Sequence, residues 1–486
     1  MLLELLSHQN FADMRYGLDP AFRFTVSRAV YKGILKYLSN RYGMEYAVQP
    51  LPVRSFAATF TGGGQPGTTG HSKIRLSWTE PVDSLEPTAV PEGYILYTRI
   101  DTGAFDNGRI LKNFRKENGR IHYDTGIEPG HIYSYRITAY NSGGESFPSE
   151  TLSAGIPANA VPEGKNVLVV NNFDRVSAPV SFDTPQYAGF DNRTDSGVPY
   201  MKDISFSGEM YQFRRGMQWT DDDNPGFGAS DSDFAGKVMA GNTFDYPYVH
   251  GKAILKAGYP FCSASAAAFA ADSTLQEGFW SMDLICGKQV TVKTGSGLMP
   301  DRYRVFPAPL QAALRTFTSK GGNVLISGAN IGTDIWDRVY EVECDSTFRA
   351  ETMEFAEKVL GYRWITGFGS KSAEVKPYGK NILADGVRNA KTARFSYNND
   401  YDSRLYRVEA PDGLAPVPAE NGKGGNPEAN ASSGTFLRYA DTDISAGIYN
   451  DMGRYNTVAI GFPIETVKDG KAIDSIMEVT LKFFEK

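Results

Sequence analysis

Lys165–Arg175 reads KNVLVVNNFDR. Val167, Leu168, Val169 and Val170 are consecutive apolar residues, mostly β-branched, and they run into Asn171, Asn172 and Asp174. An apolar run of strand length bounded by polar residues predicts a strand buried on both faces, with a polar loop at its carboxyl end. The pattern recurs at Gly321–Asp334, GGNVLISGANIGTD, after a helix-like stretch. Two such strands with a helical segment before the second predict an open α/β sheet. Ligands of such sheets sit outside the carboxyl ends of the strands. Asn172 and Asp174 are therefore candidate binding residues.

The chain has 486 residues, enough for two to four domains. A hydrophobic fraction of 41% and a charged fraction of 22% are those of a globular protein. The net charge is −6 with no basic block, which argues against nucleic acid and anionic membranes as partners. No apolar run is long enough for a membrane span. The aromatic content, 13%, suits strands and also suits stacking on carbohydrate. Cys262, Cys286 and Cys344 match neither a metal spacing nor a disulfide framework. They are expected buried and reduced, with one bridge as the alternative. Met1–Leu6 is apolar but lacks the basic start and cleavage site of a signal peptide, and reads as if the chain began inside a domain.

Residues 1–47 hold a polar segment, SHQNFADMRYGLDP, and then an amphipathic helix starting at Asp19 or Pro20. ELLSHQNFADM followed by FRFTVSRAVYKGILKYL resembles the end of zinc-dependent N-acetylmuramoyl-L-alanine amidases, in the form found in large secreted proteins of Gram-negative bacteria often labelled putative xanthan lyases. That resemblance implies a secreted, periplasmic or cell-surface protein that meets peptidoglycan or an acidic polysaccharide. It also implies a catalytic role for Glu4, at the end of the family's last strand. The family's zinc ligands, two histidines and a glutamate, lie upstream of this region and have no counterpart here. His8, His71, His122, His131 and His250 form no ligand-spaced pair, and a catalytic zinc needs three protein ligands. Zinc is thus expected only with an upstream amidase domain, and Glu4 is otherwise an exposed acid.

Residues 48–70, with QPLP and TGGGQPGTTG, read as a linker. Residues 71–157 alternate as strands do: Ile74, Leu76 and Trp78 share one face, and Tyr133, Tyr135, Ile137 and Ala139 another. This β-sandwich pattern is similar to fibronectin type III modules. The resemblance makes Trp78 the core tryptophan, Tyr133 or Tyr135 the corner tyrosine, and Asn141–Ser146 the turn after the penultimate strand. Residues 158–164 form a second linker.

Residues 165–486 read as one α/β unit. Predicted helices cover Phe306–Lys320, Glu351–Leu360 and Ala472–Glu485, and FLRYADTDISAGIYN and YNTVAIGFPIETV are two closing strands. Asp221, Asp222, Asp223, Asp231 and Asp233 crowd one stretch and are candidate calcium ligands, although their order is not that of an EF-hand. His250 is a candidate base. YPFCSASAAAF has the outline of a nucleophile elbow, with Cys262, Ser263 and Ser265 as candidates but without its glycines.

The unit resembles flavodoxin-like, class I glutamine amidotransferase-like domains through NVLVVNNFDR, GGNVLISGANIGTD and NTVAIGFPIET. Catalysis in that family needs a histidine after the cysteine, and none follows Cys262. Glutamine hydrolysis is excluded; Ser263 with His250 remains, out of the familiar order. The expected function is that of an accessory, glycan-binding or substrate-positioning part of a cell-wall or polysaccharide-acting enzyme. Two alternatives stand beside it: a polysaccharide hydrolase or lyase with its site in the α/β unit, and a non-catalytic surface interaction protein.

Overall fold

The computed structural model describes residues 3–7, 9–61, 72–159, 164–206, 210–218, 227–230, 234–294, 299–337, 346–389, 394–417 and 433–486. Two helices open the chain. Asn10 caps α1 (Phe11–Gly17) through Ala12 N at 2.9 Å. Asp19 caps α2 (Pro20–Tyr42) through Ala21 N at 3.0 Å, and Pro20 takes the first-turn position where its missing N–H costs nothing. Gly43, in the left-handed region at φ 66, ends α2. Arg28 and Lys32 tie α2 to Asp83 and Glu86 at 2.9 and 3.3 Å.

Six longer strands, with three short ones paired at their edges, form the sandwich. One layer joins β1 (Arg54–Phe60), β2 (Ser72–Thr79) and β4 (Arg120–Ile127); the other joins β3 (Gly93–Ile100), β5 (Ile132–Asn141) and β6 (Leu152–Gly155). Ile74, Leu76 and Trp78 are fully buried between the layers, and Trp78 meets Tyr94 edge-on at 5.1 Å. Tyr135 is the buried member of the tyrosine pair, but its hydroxyl makes no hydrogen bond, so it does not supply the expected corner bond. Residues 48–70, expected as a linker, contain β1. The proline and glycine clusters flanking RSFAATF had hidden a strand.

The second unit is built on five parallel strands: β7 (Val167–Asn171), β8 (Phe261–Ser265), β9 (Ser281–Gly287), β10 (Asn323–Gly328) and, later in the chain, β13 (Asn456–Ile460). β7 lies between β8 and β9, then β10 and β13 follow, so the order is 2-1-3-4-5. Every residue of β7 is buried. Leu168 and Val170 pack into the same core as the sandwich, Phe269 and Leu314; Val167 and Val169 pack on the other face with Ile254 and Ile476. That is the period of two expected of a strand covered on both sides. α3 (Tyr246–Lys256), α4 (Ala266–Ala271), α5 (Ala308–Ser319) and α6 (Gly470–Phe484) supply the cover.

The stretch read as a single strand, FLRYADTDISAGIYN, is a hairpin of β11 (Ser433–Tyr439) and β12 (Ser445–Asp451), and it extends the sheet antiparallel beyond β13. The helix expected at Glu351–Leu360 runs from Ser346 to Phe355, continues as a π turn through Leu360, and stops at Gly361 with φ 79. A four-stranded antiparallel sheet over residues 181–230 holds Phe190 and Phe213 against Phe11 of α1, at 5.6 and 5.4 Å. No described helix is long and apolar enough to cross a membrane.

The two units share one sheet. β8, the outer strand of the parallel set, pairs with β1 (Ala57 opposite Ala264, Ala58 opposite Ser263) and with β6 (Gly155 opposite Phe261). On its inner face, α3 sits against Phe261 so closely that a Cβ at Gly251 would lie 2.1 Å from the Phe261 ring. Overpacking of this kind costs about 1–3 kcal/mol. Gly251→Ala is therefore expected to destabilise the full chain by an amount in that range, read as a lower urea midpoint, while Gly119→Ala, with open space around it, serves as a solvent-side comparison whose loss comes only from its positive φ of 75.

Candidate functional site

The carboxyl ends of β7 and β9 meet where the strand order reverses, the point at which open α/β sheets bind ligands. Asp174, in the loop after β7, accepts a hydrogen bond from Gln289 Nε2 at 2.7 Å, in the loop after β9. Gln289 Oε1 in turn accepts from Arg175 N at 3.1 Å. The sandwich adds Glu150, just before β6: Asn171 Nδ2 donates to its Oε2 at 2.6 Å. Arg302 and Tyr303, in the segment after β9, lie within electrostatic reach of Asp174. Asp334 pins their segment at both ends, accepting from Thr291 N at 2.6 Å and Val305 N at 3.0 Å. Tyr303 has φ 64, a conformation a bulky residue adopts at a cost and keeps only where its surroundings impose it.

The cleft perturbs the acids it holds. Burial, followed by the nearby Asp174 charge, pushes the Glu150 carboxyl up to about 8 against a stabilising bond from Asn171. Asp174 is open to solvent on one side, yet the surrounding protein raises its pKa, with Gln289 and Arg302 opposing. Burial pushes the Tyr303 phenol up to about 12. Its hydroxyl lies beside Val176 and makes no well-formed hydrogen bond. Asp19, at the start of α2, feels Arg302 from above, and burial raises it too. Of these carboxyls Glu150, near 8, is the one that can hold a proton at neutral pH.

Below the cleft is a buried ionic group. Arg175, 1% exposed, reaches Asp195, Ser177 Oγ at 2.8 Å and Lys288 O at 2.9 Å. Lys288 Nζ bonds Glu409 at 2.7 Å and Asp195 at 3.5 Å. Two cations and two anions balance, which fixes the loops after β7 and β9 without leaving an unpaired buried charge.

The predicted catalytic residues lie elsewhere. His250 is fully buried in α3, with Nδ1 2.7 Å from Asp283 Oδ2 and Nε2 3.2 Å from Glu465 Oε2. Tyr406 donates to the other Glu465 oxygen at 2.6 Å. Burial alone would lower the imidazole; the charges and hydrogen bonds of Asp283 and Glu465 outweigh it and push it up to about 10. His250 is thus a cation locking α3 to β9 and to the turn after β13, not an accessible base. Ser263 is a fastener rather than a nucleophile: it accepts from Ser153 N and donates to Ser153 O, both at 2.7 Å. Cys262 Sγ accepts from Phe60 N at 3.1 Å, and Ser265 caps α4 through Ala268 N at 3.1 Å. The strand-to-helix outline of the elbow is present, with each small side chain spent on structure.

Asn172, proposed as a binding residue, is buried and donates to Val305 O at 2.9 Å. Glu4 is exposed in a segment without helix or strand. Cys262 and Cys286 are buried free thiols, and burial pushes Cys286 up to about 12. Asp221, Asp222, Asp223, Asp231, Asp233 and Cys344 lie outside the described residues. Among the described residues no three His, Cys, Asp or Glu side chains are placed to hold a metal ion. Glu150, Gln289, Arg302 and Tyr303 carried no motif that would have marked them. Only the expectation that ligands sit beyond the strand ends pointed to their neighbourhood.

No model of a known protein family matches the chain. Among solved structures, a cytoplasmic protein, STM3548 from Salmonella typhimurium, is similar over 65% of this chain and 98% of its own, at 10% identity and a TM-score of 0.30. The third fibronectin III domain of human KIAA0343 protein is similar over 24% of this chain and 89% of its own, at 15% identity and a TM-score of 0.17.

The raised pKa of His250 fixes a direction for stability. Its folded value, about 10, lies above the ordinary 6.5. The stabilisation is therefore full below pH 6.5 and is lost as pH rises through about 10. The urea midpoint is expected to fall over that window. His250→Leu removes that component of the fall and destabilises by about 3–5 kcal/mol at pH 6, because it strands two buried carboxylates. An unchanged midpoint in the variant would refute the lock.

Proposed function

We propose that this chain is the glycan-handling part of a cell-wall or polysaccharide-acting protein, and that its flavodoxin-like α/β unit and fibronectin type III-like sandwich together form a site for acid–base chemistry. The observation that carries this reading is Glu150, bonded by Asn171 at 2.6 Å at the end of β7, with Asp174 held by Gln289 at 2.7 Å in the loop that follows; the Asp174 charge acts on Glu150, and Arg302 acts on Asp174. Glu150, held near 8, keeps its proton at neutral pH and can give it to a leaving oxygen; Asp174 can take a proton from water or from the sugar. Arg302 offsets the charge that develops. The glycan itself is supported by the resemblance of residues 4–38 to the end of the amidase family. Xanthan-lyase-like or hydrolytic cleavage are the reactions this pairing serves.

A binding role without cleavage is the second reading, and one observation favours it. His250 and Ser263 are both buried and committed to structure, so the nucleophile-and-base arrangement expected from sequence is not assembled. The site would then position a glycan for a neighbouring catalytic domain, with secretion to the periplasm or cell surface.

Incubation with peptidoglycan and with an acidic polysaccharide separates the two readings. For a cleaving site, new reducing ends or unsaturated products appear, and Glu150→Gln lowers the rate by about 10²–10⁴-fold with co-sedimentation retained. The rate falls as pH rises through about 8, where Glu150 loses its proton. Co-sedimentation with no product from the wild-type chain selects the positioning reading. If the chain neither binds nor cleaves, the glycan assignment is wrong.

A further inference from the structure

A small pocket adjoins the cleft under the first turn of α2. Leu18, Pro20 and Arg23 form its roof, and Gly197, Lys288 and Tyr406 part of its walls. Its cavity volume is about 60 Å³. A buried water needs about 10–15 Å³ on this measure, so the pocket has room for a handful of waters. That suits a single small substituent of a larger ligand, not a sugar ring or a peptide.

The pocket is lined by Arg23, Lys288 and Arg407 and by Asp203 and Asp402, and these charges differ in how they are committed. Lys288 is spent on Glu409, Asp195 and Gly197 O. Arg23, 41% exposed and paired to Asp203 at 3.4 Å, is held more loosely. Its guanidinium reaches Leu18 O at 3.3 Å, Asp203 Oδ2 at 3.4 Å and Ser205 Oγ at 3.5 Å, all long beside the ~2.7–2.9 Å of a good charge-assisted bond. Its Nε is buried with no partner among the described residues. Asp203 leans more on Ser205, accepting from its N at 2.8 Å and its Oγ at 2.6 Å, than on Arg23. A guanidinium with one unmet donor and weak bonds at the others is prepared for a planar, two-oxygen acceptor.

We propose that this pocket receives a carboxylate substituent of the glycan, held by Arg23. The proposal rests on the glycan reading above and narrows it to acidic saccharides. Leu18 and Pro20 flank Asp19, which feels Arg302 of the cleft.

The test is calorimetric titration of the full chain with an oligouronate fraction and with the same fraction after carboxyl reduction. The acidic form is expected to bind at least tenfold more tightly. Arg23→Ala reduces that preference to about twofold, and Arg23→Lys keeps part of it. Asp203→Asn, which removes the competing carboxylate, strengthens binding of the acidic form severalfold, an outcome that misfolding cannot produce. Equal affinity for the two forms, or a preference unchanged by Arg23→Ala and Asp203→Asn, overturns the proposal. If cleavage of a glycan still depends on Glu150 in that case, the glycan reading survives without it. If neither fraction binds and no glycan is cleaved, both are overturned.

Discussion

The outer strand of a parallel sheet presents a row of N–H and C=O groups that must be paired, covered or repelled. In this protein the sandwich closes that edge. β1 and β6 hydrogen-bond to β8, and two side chains of β8 complete the closure, Ser263 to both backbone groups of Ser153 and Cys262 to Phe60 N. The edge is therefore buried rather than exposed, and the orientation of the two units is set by strand register instead of by a flexible linker. A one-residue slip would reverse every side chain of β8, breaking the Ser263–Ser153 pair together with the Phe261 packing against α3.

From that closure the site follows. Ser153 is fixed by Ser263, and Thr151 N bonds Phe244 O at 2.8 Å, so Glu150 is delivered to the end of β7 with little freedom. There it meets Asn171, itself fixed by the parallel ladder. The loops that carry Asp174 and Gln289 rest on Arg175, Asp195, Lys288 and Glu409. Burying four charges costs several kcal/mol of desolvation per ion before pairing; what such a group offers in return is a single arrangement of the loops, since any other leaves a charge unpaired.

The parts of this architecture that depend on local pattern were readable. KNVLVVNNFDR and GGNVLISGANIGTD announce doubly covered strands because burial on both faces removes polar residues from a strand. Trp78 with Ile74 and Leu76 announces a sandwich layer because one face alternates. Among the parts that failed, some are settled by distant neighbours. Small residues between a strand and a helix suit a nucleophile elbow and also suit an edge strand receiving another backbone, and nothing within FCSAS separates the two. β1 was lost because prolines and glycines flank it on both sides, although one of its two partners, β2, follows closely in the chain. The polar turn Asp441–Asp443 inside FLRYADTDISAGIYN divides that stretch into a hairpin, a signal passed over when it is read as one strand. Glu150 was unmarked because its acidity is a property of the junction.

That last point ties stability to chemistry. A carboxyl on a surface loop before a strand is ionised at neutral pH. Burial against the α/β unit raises the Glu150 carboxyl, the Asp174 charge adds to that, and Asn171 contributes a single hydrogen bond in the other direction. Neither unit holds the acid on its own. The backbone closure of β8, which stabilises the fold, is thus also what holds a protonated carboxyl at the strand ends, and any loosening of β6 from β8 would return Glu150 to water and to its ordinary ionised state.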